Sequence, residues 1–190
     1  GVGQVINGAE QERLSYEYVV NRAAESGNER CLAAMAGIRP PYFDETGTLR
    51  MEDLALERKW LEKMGGVWYD YKVFGNRDMM KTMLGCTEYT LFDFRNVEKR
   101  AKAATVYTWP EEMTIDFIQQ IPRIDVPLYF FEGRSDYNVP FELAREYYET
   151  VDAPKGKHFV WFERSGHVPF LEESGKFQEE LLKVVAETYR

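Results

Sequence analysis

The sequence predicts an α/β fold in two unequal parts, on three observations. Residues 7–120 carry apolar stripes at helical spacing without period-two alternation. At Ile121 the character changes, and two continuous apolar runs follow, VPLYFF and HFVWFE, of the kind expected for strands buried on both faces. A helical segment stands after each run, giving the strand, helix, strand, helix order of a right-handed parallel crossover.

The opening GVGQVING reads as the last residues of a strand leaving a sheet, so 1–7 are assigned to the end of a core strand. Asn7, followed three residues later by Glu10, fits a capping-box-like helix start, and Leu14, Tyr18 and Val19 continue at helical spacing to about Gly27. A short helix fits 29–36, after which Gly37 and Pro40-Pro41 break the pattern and PPYFDETGTLR reads as loop. Over 52–64, Leu56, Trp60 and Met64 recur four apart with Leu61 beside them, and Gly65-Gly66 supply a stop. Further helices are predicted over 76–84, 91–104 and 111–120, which makes 8–120 an all-helical unit.

In the second part, 121–190, Pro122 and Pro127 bracket a linker. Pro127 belongs at the start of its strand because it has no N–H to give to a ladder. Residues 140–151 predict a helix with Pro140 near its first turn and Phe141, Ala144, Tyr148 and Val151 on one face. Ser174 is the expected N-cap of a closing helix striped by Phe177, Leu181, Val184, Val185 and Ala186. Two parallel strands cannot bury both faces by themselves, so either a missing N-terminal half of the fold or a second copy of the chain is expected as partner.

Composition narrows the function classes. At 190 residues, 44% hydrophobic and 15% aromatic, the chain has the makings of a sizeable core and not of disorder. A net charge of -8 leaves no basic footprint for nucleic acid or an anionic membrane. Cys31 and Cys86 are too few for a disulfide framework and are not spaced as metal ligands, so free thiols in a reducing compartment are expected. No apolar run is long enough to span a bilayer and the start lacks the regions of a signal peptide, so the expected location is cytoplasmic.

Two residues stand where an α/β sheet collects its chemistry. Asp136 lies five residues beyond Phe131 and His167 five beyond Phe162, in loops that parallel neighbouring strands bring to the same edge. A carboxylate there can accept a hydrogen bond from imidazole Nδ1, leaving Nε2 free to take a proton from a hydroxyl nucleophile. Asp136 also suits a turn residue satisfying backbone N–H groups. His158, after the polar turn APKGK, reads as a packing or surface residue, and Glu132 with Arg134 as a solvated ion pair.

The strings G-R-S-D-Y-N-V-P after the first strand, S-G-H-V-P-F after the second and E-E-x-x-x-F at the opening of the final helix resemble the α/β-hydrolase superfamily, in the cap-bearing branch that includes proline iminopeptidases. The resemblance covers 121–190 closely, and the helical unit before it looks like the cap, or lid, of such enzymes. It implies the C-terminal portion of an α/β-hydrolase fold with an all-helical cap insertion, with Asp136 as triad acid, His167 as general base, and neither cofactor nor metal. The implied parent is an aminopeptidase- or esterase-like serine hydrolase working through an acyl-enzyme. Its nucleophile would lie upstream, because Ser15, Ser26, Ser135, Ser165 and Ser174 occupy no G-x-S-x-G frame, so the chain alone is expected to be inactive.

The resemblance also implies cap carboxylates that receive a substrate's terminal ammonium, for which Glu10, Glu12 and Glu17 are candidates; the alternative is a solvated helix face. Trp60, Trp68, Tyr69, Tyr71, Phe74, Tyr89, Phe92 and Phe94 could line an apolar pocket or form the core of the helical unit. Two other functions remain open from the sequence: a non-catalytic ligand-binding relative, and epoxide hydrolase or dehalogenase chemistry through an upstream Asp nucleophile.

Overall fold

Helix α1 (Gly8–Glu25) begins where Asn7 Oδ1 accepts the N–H of Glu10 at 3.0 Å. This computed structural model describes residues 1–70, 72, 75–88, 90 and 96–189. Along α1 the buried residues are Gly8, Gln11, Glu12, Ser15, Val19 and Ala23, a stripe that mixes polar and apolar groups. Helix α2 (Glu29–Ala36) is capped by Asn28 and buries Cys31 and Met35. In α3 (Met51–Lys63) the inward face is Leu54, Glu57, Trp60 and Leu61, which displaces the predicted stripe by part of a turn: Leu56 and Met64 are only half-buried.

Helix α4 (Asn76–Leu84) follows, then α5 (Val97–Glu112) and the single turn α6 (Phe117–Gln120). The predicted break at 104 and restart at 111 are corrected, since α5 runs through both positions. Pro110 falls in its last turn, where it leaves the Val106 carbonyl without its helical donor but interrupts only the end of the ladder. Trp109 beside it is buried and donates its Nε1–H to the Pro41 carbonyl at 2.9 Å, pinning the end of α5 against the loop before α3. Residues 91–95 of the predicted helix lie outside the described residues.

Strands β1 (Leu128–Gly133) and β2 (Lys157–Phe162) pair in parallel, in register from Leu128 with Lys157 to Gly133 with Phe162, so their carboxyl ends are flush. Pro127 sits immediately before β1. Between the strands lies α7 (Phe141–Thr150), which buries Leu143, Ala144 and Tyr147; of the predicted face, Ala144 and Val151 are buried, while Phe141 and Tyr148 are only partly covered. Tyr147 and Tyr148 both meet Phe130 of β1 edge-on. A one-turn helix α8 (Pro169–Glu172), absent from the sequence reading, precedes α9 (Ser174–Thr188). Ser174 is the first residue of α9 and not its cap.

The expected strand end over 1–7 reduces to one parallel bridge of Val2 with Phe131, closed by the Phe131 N–H to the Gly1 carbonyl at 2.9 Å. The apolar core lies in two clusters. One is built by α1, α2, α3, Tyr42 and Trp109; the other joins Ile6 and Phe130 to Leu143, Ala144, Tyr147 and Val151. The helical part thus has a core of its own. Leu181, Leu182 and Val185 of α9 are exposed, beside a groove of about 290 Å³ lined by Val2, Leu128, Phe131 and Phe177. Among the described residues no helix is long and apolar enough to cross a membrane.

Candidate active site

The flush strand ends place Asp136 and His167 side by side. His167 Nδ1 and Asp136 Oδ2 are 3.0 Å apart, with Asp136 fully buried and His167 partly exposed. The other oxygen, Asp136 Oδ1, accepts the Val139 N–H at 2.9 Å, so the two jobs considered for Asp136, turn residue and imidazole partner, are divided between its two oxygens. Burial by itself would push the His167 pKa down; the hydrogen bond and negative charge of Asp136 outweigh it, and the imidazole lies above its ordinary value.

The loops around the pair are tied to the helical part. Tyr137 N–H donates to the Gly66 carbonyl and His167 N–H to the Val67 carbonyl, each at 2.8 Å. Ser15 on α1 donates its hydroxyl to the Tyr137 carbonyl, and the Tyr18 ring stacks on Tyr137 with centroids 3.8 Å apart. A cavity of about 460 Å³ opens beside His167, lined also by Gln11, Arg58, Trp109, Glu112 and Asn138.

Behind this cavity is a buried charge cluster that the sequence only half disclosed. Glu12 and Glu57 are both fully buried and both paired to Arg58, Glu12 at 2.5 Å. Each has one oxygen without a hydrogen-bond partner, as do the neighbouring Gln11 Oε1 and Tyr42 hydroxyl. Burial pushes the Glu57 carboxyl up to about 7, against the pull of Arg58 and with the push of Glu12. Burial raises Glu112 as well, and Glu12 adds to it. Glu10 and Glu17, the other two candidate ammonium acceptors, lie apart from this cluster. Helical spacing turns both outward, where Arg13 pairs with each on the exposed face of α1.

The solvated pair of Glu132 and Arg134 is also corrected. Arg134 lies over the Trp161 ring at 3.5 Å and bonds Glu163. Glu132 alternates inward on β1, is 1% exposed, and neither carboxylate oxygen has a hydrogen-bond partner. Burial first, and the charge of Asp136 second, push its carboxyl well above the carboxylate range.

Of the predicted pocket aromatics, Trp60 and Trp68 are buried, Tyr69 is half exposed, and Tyr71, Phe74, Tyr89, Phe92 and Phe94 lie outside the described residues. Trp109, not singled out from the sequence, is the aromatic that lines the cavity among the described residues. His158 stacks on Tyr129. None of the five serines, all among the described residues, bonds the His167 ring; Ser165 is buried and donates to Glu173. Among the described residues no His, Cys, Asp and Glu side chains converge as a metal-ligand set.

No family profile matches the chain. It is 24% identical over 183 residues to the probable aminopeptidase YbaC of Bacillus subtilis (strain 168), an alignment covering 95% of this chain and 55% of that protein. An esterase from Exiguobacterium antarcticum of known structure shares 32% identity over 43% of this chain and 30% of its own, with a TM-score of 0.39. The chain therefore spans about half the length of the curated relative it matches, and nearly all of it takes part in that similarity.

Proposed function

We propose that this chain supplies the acid, the base and the substrate-covering helices of an α/β-hydrolase of the aminopeptidase type, whose nucleophile is contributed by a segment outside residues 1–190. The observation that carries the reading is the 3.0 Å contact of His167 Nδ1 with a buried Asp136, at the flush ends of two parallel strands and beside a cavity. With Nδ1–H donated to Asp136, Nε2 takes the proton of an attacking serine hydroxyl and returns it to the leaving amine, while Asp136 stabilises the imidazolium between the two steps. Residues 8–120 act as the lid in this reading.

The substrate in this reading carries a free amino group near the scissile bond. The support is a set of buried acceptors behind the cavity that have no hydrogen-bond donor: one oxygen each of Glu12, Glu57 and Gln11. An ammonium brings hydrogen-bond donors and positive charge to such a place. The similarity to a probable aminopeptidase is of the same kind.

A fluorophosphonate probe tests the reading. The 190-residue chain should remain unlabelled, and the same chain joined to the segment that completes its sheet should label at one serine of that segment. Labelling of the chain alone at Ser15, Ser26, Ser135, Ser165 or Ser174 would refute it. A completed protein that turns over substrate yet resists the probe would point to an aspartate nucleophile. Turnover of an aminoacyl amide should fall when its amine is acetylated; indifference to acetylation would remove the ammonium site.

A further inference from the structure

Glu172 takes no part in the proton path, yet its carboxylate is divided between the two chain segments that enclose His167. Oε1 accepts the Tyr69 N–H at 2.8 Å and Oε2 the Gly166 N–H at 2.7 Å. Tyr69 ends a short strap, 66–69, whose carbonyls at Gly66 and Val67 already receive the N–H groups of Tyr137 and His167. Strap and histidine loop lie against each other so closely that a Cβ on Gly166 would fall on the Val67 carbonyl. The next residue, Glu173, holds the same loop one step earlier, accepting from Arg164 N–H and Ser165 Oγ at 2.8 Å each. Among these ties between strap and histidine loop, Glu172 provides the side chain; the others run from main chain to main chain.

We infer that Glu172 is a positioning residue for His167: one carboxylate fastens both the strap and the residue before the histidine, and so aims the imidazole at Asp136. The inference rests on the reading of His167 and Asp136 given above. A glutamine cannot replace this carboxylate, because it has one acceptor oxygen and its amide nitrogen would face a second donor. The charges acting on His167 are those of Asp136 and Arg58, so its titration reports how well Asp136 is engaged.

The test follows the His167 ring by NMR in the 190-residue chain, through its C–H titration and its Nδ1 proton, with His158 as internal reference. In the wild type the midpoint should lie above the ordinary histidine value, and D136N should lower it. E172Q should lower it in the same direction and broaden the Nδ1 resonance, leaving His158 unmoved. Y69P removes the other end of the tie without changing charge and should do the same, which separates a lost tether from a lost negative charge. A folded E172Q or Y69P with wild-type His167 titration overturns the inference. If E172Q does not fold, Y69P decides by the same criterion, and collapse of both would mean that the tie serves the fold and not the imidazole, which also overturns it. A D136N variant that leaves His167 unmoved would instead sink the underlying pair.

Discussion

Glu57 offers the sharpest quantitative test, since its carboxyl is fully buried and pushed up to about 7 from an ordinary 4.5. The folded chain therefore holds this proton more tightly than the unfolded chain does. Stability from this group is fully present below the unfolded value and is lost as pH rises through about 7. At about 1.4 kcal/mol per pH unit, the interval between 4.5 and about 7 corresponds to about 3 kcal/mol. Glu57→Gln keeps the shape and mimics the protonated form. It should be neutral near pH 4.5 and stabilising by about 3 kcal/mol at pH 8. Urea unfolding followed by tryptophan fluorescence measures this, because Trp60 and Trp109 sit in the same apolar cluster as the helix that carries Glu57. A variant less stable than wild type at pH 8 would show that Arg58 more than compensates the buried charge, and the reasoning from desolvation would fall.

In a completed protein, Asp136→Asn should lower kcat by about 10⁴-fold, the scale for this exchange in serine-protease triads, with KM little changed; a loss confined to KM would argue against the assigned role. Gly166→Ala forces a methyl into the Val67 carbonyl and should cost about 2 kcal/mol or more in urea unfolding, with amide exchange faster at His167. Sedimentation tests the exposed Leu181, Leu182 and Val185 of α9: they predict association with a second polypeptide or a second copy, and a stable monomer at micromolar concentration would contradict this.

The Asp136 and His167 loops were legible because strand, turn and histidine strings lie in short contiguous stretches. Helix α1 was legible for the same reason, since Asn7 and Glu10 announce its start. The charge cluster was harder. In the string L-E-R-K the pair Glu57-Arg58 looks like a solvated face, but Leu54, Glu57 and Leu61 share one stripe, and that spacing was the available signal. Glu10 and Glu17 differ from Glu12 for the converse reason: nearness in sequence is not nearness on a helix, and at about 100° per residue both point away from the face that Glu12 buries. Glu172 was invisible as a tie because its donors, Tyr69 and Gly166, are main-chain groups, one of them 103 positions away, which no side-chain pattern records.

The strap at 66–69 is bound to the Asp136 and His167 loops through its own peptide groups. Such bonds do not depend on which side chains the strap carries, provided that its backbone can take the same path. Trp68 is buried and constrained by packing, whereas Tyr69 is half exposed and Val67 only partly covered. Position 69 can therefore change in size or polarity while the imidazole keeps its place, whereas Val67 also packs on the first apolar cluster. A small library at position 69, with proline left out, should therefore keep the 3.0 Å contact of His167 with Asp136 whatever side chains it introduces.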